Sequence, residues 1–308
     1  MGKNAVALTG RYEIAATEPP KVADLVSVFL ERRSRNTRRA YEADLRDFAR
    51  FAGLPTSTAA MDALISKGPA SANMAALAYR SDMTKRGLSV ATRNRRLAAI
   101  RSALKLGRTL GLLTWTLEVE GERSMPYRDT RGPGEEAYRA MLQVADTRER
   151  AILRLLHDLA LRRGEVTGLD VEHIDIENGT LSILGKGRTE RETLTLPEPT
   201  LKALVDWLDE RGTEPGALFT AQVKPHVGHR LTGEAVRLIV RACAKRAGVG
   251  RAWPHGLRHT GISTACERTN GNLATVARFS RHADLKTVVR YIDNLEDVAG
   301  EVARMVAE

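Results

Sequence analysis

The chain has 308 residues, with 48 Lys and Arg against 38 Asp and Glu, a net charge of +10 and a pI near 9.9. At roughly 100–200 residues per domain this predicts two domains, each able to bury its own core. No stretch approaches the roughly 18 uncharged apolar residues of a membrane span, and the apolar run before Arg11 and Glu13 is too short for a secretory signal, so a cytoplasmic protein without membrane contact is expected.

Residues 1–132 carry 5 Lys and 18 Arg against 13 acidic residues, whereas 133–308 carry 25 basic and 25 acidic ones. The whole excess therefore lies in the first part. Such a surplus attracts polyanions, nucleic acid first and an anionic membrane surface second. Residues 1–20 show no helical period and end in Pro19-Pro20, predicting a flexible leader. A helix follows over 21–32, with Val22, Leu25, Val26, Phe29 and Leu30 on one stripe. A second starts at Ser34–Thr37 and aligns Tyr41, Leu45 and Phe48; a third covers 72–86; a fourth starts near Ser89 and aligns Leu97, Ile100 and Leu104. These four helices predict a compact bundle over 21–116. Arg35, Arg38 and Arg39 on the second helix and Arg93, Arg95, Arg96 and Arg101 on the fourth are candidate DNA contacts. The fourth helix has no acidic residue of its own between Ser89 and Arg108 to pair with them.

Residues 117–134 break into Glu118–Glu122, Met125-Pro126 and Arg131–Gly134, the punctuation of an interdomain linker. The second domain, 135–308, opens with helices over 135–146 and 147–161. Asn178-Gly179 then predicts a two-residue hairpin joining strands 173–177 and 180–184, with a third strand at 193–196. Helices resume over 200–211, 232–247, 256–267, 272–279, 286–293 and 295–306. The fold class expected is mainly α with a small antiparallel sheet. Cys243 and Cys266 sit in helical sequence and read as buried small hydrophobes.

Arg162 follows an apolar run, where a guanidinium needs an anion; on this segment alone an ion pair with Glu165 or Asp158 accounts for it. Lys186 lies in the turn Gly185-Lys186-Gly187-Arg188, which taken alone is only a turn. His255 and Arg258, three apart on a helix, can share a face and hold one anion, or can be a capping histidine and a solvated arginine. His282 lies 23 positions after His259, and Tyr291 follows His282 by nine. No ligand set for a metal ion is evident, and Arg258 would repel one. Together, two arginines, a lysine and two histidines around a tyrosine suffice for phosphoryl transfer without a metal or other cofactor: cations stabilise the pentacoordinate phosphate, the tyrosine attacks, and a lysine or histidine protonates the leaving oxygen.

The ordered series Ala160-Leu161-Arg162-Arg163-Gly164-Glu165-Val166, Gly185-Lys186-Gly187, His255-Gly256-Leu257-Arg258-His259-Thr260, His282 and Tyr291 resembles the tyrosine recombinase (phage integrase) family. The resemblance implies that the basic bundle is a core-binding (SAM-like) domain, that residues from about 135 are a catalytic α+β domain, and that the two clamp duplex DNA from opposite sides. It implies that Arg162 and Arg258 bind the scissile phosphate and that His255 assists them. Lys186 would protonate the leaving 5′ oxygen, His282 would hydrogen-bond the phosphate, and Tyr291 would form a 3′-phosphotyrosine, with Glu165 and His259 in support. The expected function is a site-specific DNA recombinase; a type IB topoisomerase-like nicking-closing enzyme and a non-catalytic DNA-binding protein of the same fold are the alternatives. Double-stranded target sites are the expected partner, bound by a homotetramer on two duplexes, with accessory DNA-binding proteins as further partners. The family commonly has Gly where Ala160 stands and Leu-Gly where this chain has Ser280-Arg281, and Arg281 is expected to be solvated, with an added phosphate contact as the alternative. The stripe Leu295, Val298, Val302 and Met305 could by itself fold back onto its own domain, whereas the resemblance implies that it docks on a neighbouring subunit.

Overall fold

The computed structural model describes residues 21–123, 132–185 and 187–282, and near the end 284, 285, 288, 289, 304, 306 and 307. The leader, Lys186, Tyr291 and the final stripe lie outside the described residues. The chain divides into two compact units, 1–127 and 128–308.

In the first unit the described residues form five helices where the sequence predicts four: α1 (Val22–Glu31), α2 (Arg35–Phe51), α3 (Ser57–Ser66), α4 (Gly68–Lys85) and α5 (Val90–Thr109). The additional one, α3, is short and rich in small residues, so its apolar stripe is faint. It is fixed by the Thr56 hydroxyl, which accepts from the Ala59 N–H at 3.0 Å, and by burial of Ala60, Met61 and Leu64. Val26, Phe29, Leu45, Phe48, Met61, Tyr79, Leu97 and Ile100 meet in one core. The segment expected to begin a linker instead packs on this bundle as far as residue 122. Leu117 and Val119 enter its core, and Asn94 grips residue 122 by accepting from its N–H at 2.8 Å and donating to its carbonyl at 2.7 Å.

In the second unit α6 (Glu135–Val144), α7 (Thr147–His157) and α8 (Arg163–Thr167) lead through a 3₁₀ turn at Val171–His173 into a three-stranded antiparallel sheet, β1 (Ile174–Asp175), β2 (Thr180–Leu184) and β3 (Arg191–Thr195), in that order. Asp175 pairs with Thr180, so the loop is four residues, 176–179, rather than two. The Asp175 carboxylate explains the difference, because it accepts from the Asn178 N–H at 2.9 Å and its side-chain amide at 2.7 Å and closes a wider turn. The helices α9 (Glu198–Arg211), α10 (Gly233–Arg246), α11 (Pro254–Arg268) and α12 (Leu273–Ser280) complete the described part. Ile152, Leu155, Leu156, Trp207, Phe219, Val240 and Leu257 form its main core, and Cys243 and Cys266 are buried as free thiols. The architecture is mostly helical with one small antiparallel sheet, as the sequence predicts.

Two details of this unit set up the site. The helix expected over 147–161 stops at His157, because Ala160 takes a left-handed φ of 46° and turns the chain. In α11, Gly261 lies against the end of α7 so closely that a Cβ there would meet the His157 carbonyl oxygen at 2.1 Å. Only glycine permits that approach, and it brings the start of α11 beside the turn that carries Arg162.

Candidate active site

Arg162 is the N-cap of α8. Its carbonyl accepts from the N–H groups of Glu165 (2.9 Å) and Val166 (3.0 Å), while the Glu165 carboxylate reaches back to the Arg162 N–H (2.8 Å) and guanidinium (2.8 Å). The ion pair with Glu165 is thus real, and Arg162 also lines a cleft of about 500 Å³. Burial works to raise the Glu165 carboxyl, but the bonds from Arg162 and the charges of Arg281 and Arg162 outweigh it and hold it below the usual carboxylate range.

Helix α11 begins at Pro254, whose missing N–H costs nothing in the first turn. His255 and Arg258 then fall one turn apart, and both line the cleft. Arg258 is 1% exposed. Its Nη1 donates to the Ala160 carbonyl and its Nη2 to the Ser280 carbonyl at 2.5 Å, with His282 Nε2 at 3.4 Å. Carbonyl dipoles fix the direction of this cation. His282 follows the end of α12, and its Nδ1 lies 2.8 Å from the Ser280 hydroxyl, which itself donates to the Ala277 carbonyl at 3.4 Å.

The cleft is therefore cationic and part-desolvated, and both of its imidazoles feel this. Desolvation, then the charges of Arg258 and Arg162, push His282 down to about 4. The same causes in the same order depress His255. At neutral pH both rings are neutral, each with one N–H and one lone pair. Two guanidiniums and two neutral imidazoles around one concave surface are suited to a tetrahedral oxyanion, and to gaining contacts as its charge grows.

The structure brings Arg162, His255, Arg258 and His282 together at this cleft. His259 is buried beside Ser263, with Nδ1 3.4 Å from its hydroxyl, and is not among the lining residues. Arg163, Arg237 and Trp253 also line the cleft and were not anticipated. Trp253 stands two residues before His255 and could have been noticed; Arg237 reaches the cleft through the packing of α10, which its local sequence does not announce. The expectation of a solvated Arg281 is overturned. Its side chain is 5% exposed, bonded to the carbonyls of Leu159 (3.0 Å), Ala160 (2.9 Å) and Phe279 (3.2 Å), and 3.4 Å from a Glu165 oxygen. Among the described residues no group of three or more His, Cys, Asp or Glu side chains is placed to hold a metal ion. Nor is any helix among them long and apolar enough to cross a membrane.

In the first unit the candidate cations divide. Arg35, Arg38 and Arg39 are exposed together at the start of α2. Those of α5 are not left without counter-charges, because tertiary packing supplies acids that the helix lacks. Arg93 bonds to Glu122 at 2.5 Å, Arg95 forms an ion pair with Asp44 at 3.0 Å, and Arg96 pairs with Asp47, while Arg101 donates to the Val119 carbonyl rather than to an acid. Asp44 and Asp47 are buried and need these partners.

The model of the phage integrase family matches residues 134–297. A tyrosine recombinase of Synechococcus elongatus is 37% identical over 309 residues, covering 96% of this chain and 97% of the relative. Another, of Synechocystis sp., is 35% identical over 295 residues, covering 92% and 94%. Among solved structures, a lambda integrase dimer bound to a COC′ core site shares the fold at a TM-score of 0.64 and 12% identity, covering 89% of this chain and 77% of that one. A family match over more than half of the chain, joined to 37% identity along nearly all of a relative, means that this chain belongs to the phage integrase family and is a tyrosine recombinase, one of the enzymes that break and rejoin DNA.

Proposed function

We propose that the protein is a site-specific recombinase that cleaves and rejoins duplex DNA through a 3′-phosphotyrosine at Tyr291, without metal or ATP. The observation that carries this reading is the convergence of Arg162 and Arg258 with the neutral imidazoles of His255 and His282 on one cleft. The guanidiniums grip the non-bridging oxygens of one phosphodiester and gain strength as it becomes pentacoordinate. The Tyr291 oxygen forms a bond to phosphorus while the bond to the 5′ oxygen breaks. The tyrosine proton passes to the His255 lone pair, and Lys186 gives a proton to the leaving 5′ oxygen; His282, with its proton on Nε2 and the Ser280 hydroxyl turned to donate to Nδ1, donates that N–H to the phosphate. The phosphotyrosine keeps the bond's free energy, so a 5′ hydroxyl of a second duplex reverses each transfer and no nucleotide is consumed.

In this reading residues 21–116 are the core-binding domain and 135–308 the catalytic domain, and the exposed Arg35, Arg38 and Arg39 contact the DNA backbone. Four copies act on two duplexes in the cytoplasm, joined through the C-terminal stripe. The test is a supercoiled plasmid carrying two copies of the duplex that the Tyr291→Phe chain selects from a randomised library, incubated with a metal chelator. Exchange between the sites by the wild type, and none by Tyr291→Phe, is the expected result. Relaxation of a plasmid lacking the site, without exchange products, would instead identify a topoisomerase.

A further inference from the structure

Position 281 is an unexpected place for an arginine. Its backbone has a φ of 55°, left-handed and favourable to glycine, and its side chain is buried with Nε lacking a hydrogen-bond partner. A charged side chain kept in so unfavourable a setting is explained by what it touches. Nη2 donates to the Ala160 carbonyl, the same oxygen that accepts from Arg258 Nη1. It also lies 3.4 Å from the Glu165 oxygen that accepts from the Arg162 N–H. The circuit closes through the backbone, since the Arg281 carbonyl accepts from Arg162 Nη2 at 3.2 Å.

We infer that Arg281 is a positioning residue for the strand-transfer reaction, fixing Arg162 and Arg258 in the orientation that grips phosphate and offsetting the charge of Glu165. The inference rests on the functional reading above. Glu165 holds Arg162 in place, but alone it would also cancel the charge Arg162 offers to an anion. With Arg281 added, the Arg162–Glu165–Arg281 trio carries a net positive charge, which joins that of Arg258 at the cleft. Geometry and charge act in the same direction: the shared Ala160 oxygen ties Arg258 to Arg281, and Glu165 ties Arg162 to it. Where a glycine would satisfy only the backbone, this chain uses the position to brace both guanidiniums.

The full chain is compared with Arg281→Met and Arg281→Lys in two measurements. One is the single-turnover rate of covalent adduct formation on the nicked selected duplex at saturating protein; the other is the affinity for inorganic phosphate by calorimetry. For Arg281→Met, adduct formation slows by about tenfold or more, as small misplacements of catalytic groups do. Phosphate binding weakens by about fivefold, on the order of one screened charge. Arg281→Lys, which keeps the charge but not the fork, falls between. Rates and affinities within twofold of wild type in a folded Arg281→Met chain would overturn the inference, whatever the loss in melting temperature, because they would mark the residue as merely structural. Should Arg281→Met not fold, Arg281→Gly, which suits the left-handed backbone, carries the same prediction. A wild type that forms no adduct defeats the functional reading instead, while the phosphate affinities still decide the role of Arg281.

Discussion

His282 shows how much a single side chain feels the whole cleft. Burial and then the Arg258 charge hold its pKa near 4, against an ordinary value of 6.5. The sign of the consequence follows from proton counting. Above pH 6.5 the folded and unfolded chains both leave the ring neutral, whereas between 6.5 and about 4 only the unfolded chain takes up the proton, so this group lowers stability as pH falls through that window. A His282→Gln chain is therefore expected to lose less melting temperature than the wild type on acidification from about pH 7 to about pH 5. Equal losses in the two chains would show that His282 does not titrate in this way. Four residues of the cleft, Arg162, His255, Arg258 and His282, were legible in the sequence through their order and spacing rather than singly, since Arg162 alone is accounted for by its ion pair with Glu165. Arg281 was not, because its partners at Leu159, Ala160 and Glu165 are over a hundred positions away.

The helices teach the complementary lesson. α5 reads as a basic face because its own sequence holds no acids, yet α2 and the strap at 117–122 bring Asp44, Asp47 and Glu122 to it. Helical period reveals which face is apolar; it does not reveal which neighbour faces the polar side. The two groups of arginine separate in experiment. Arg96→Ala leaves Asp44 and Asp47 buried with fewer partners and should cost about 3 kcal/mol in urea unfolding. Arg38→Ala, on an exposed face, should stay within about 0.5 kcal/mol of wild type while lowering the salt dependence of DNA binding by about one phosphate contact. An Arg96→Ala chain as stable as wild type would contradict the assignment of Arg96 to the fold. The missed α3 and the early stop of α7 have equally local causes, a cap at Thr56 and the left-handed Ala160, that apolar spacing does not register.

At the scale of the molecule, the net charge of +10 belongs to the first part of the chain, while the candidate cleft lies in the second, which is neutral in sum. No contradiction follows, since a phosphate is gripped by a few convergent cations and a duplex is held by many dispersed ones. The composition shift and the run of Gly and Pro point to a linker at 117–134, and the first of the two compact units keeps part of that segment for its own core through Leu117 and Val119. The central claim joins the cleft to Tyr291, and it is tested most directly by incubating the chain with the nicked selected duplex and resolving the products on a denaturing gel. The account predicts a protein–DNA adduct for the wild type, with the DNA on the Tyr291 peptide, and none for a Tyr291→Phe chain that still binds the duplex. An adduct that persists in Tyr291→Phe, or that maps to another residue, would contradict it.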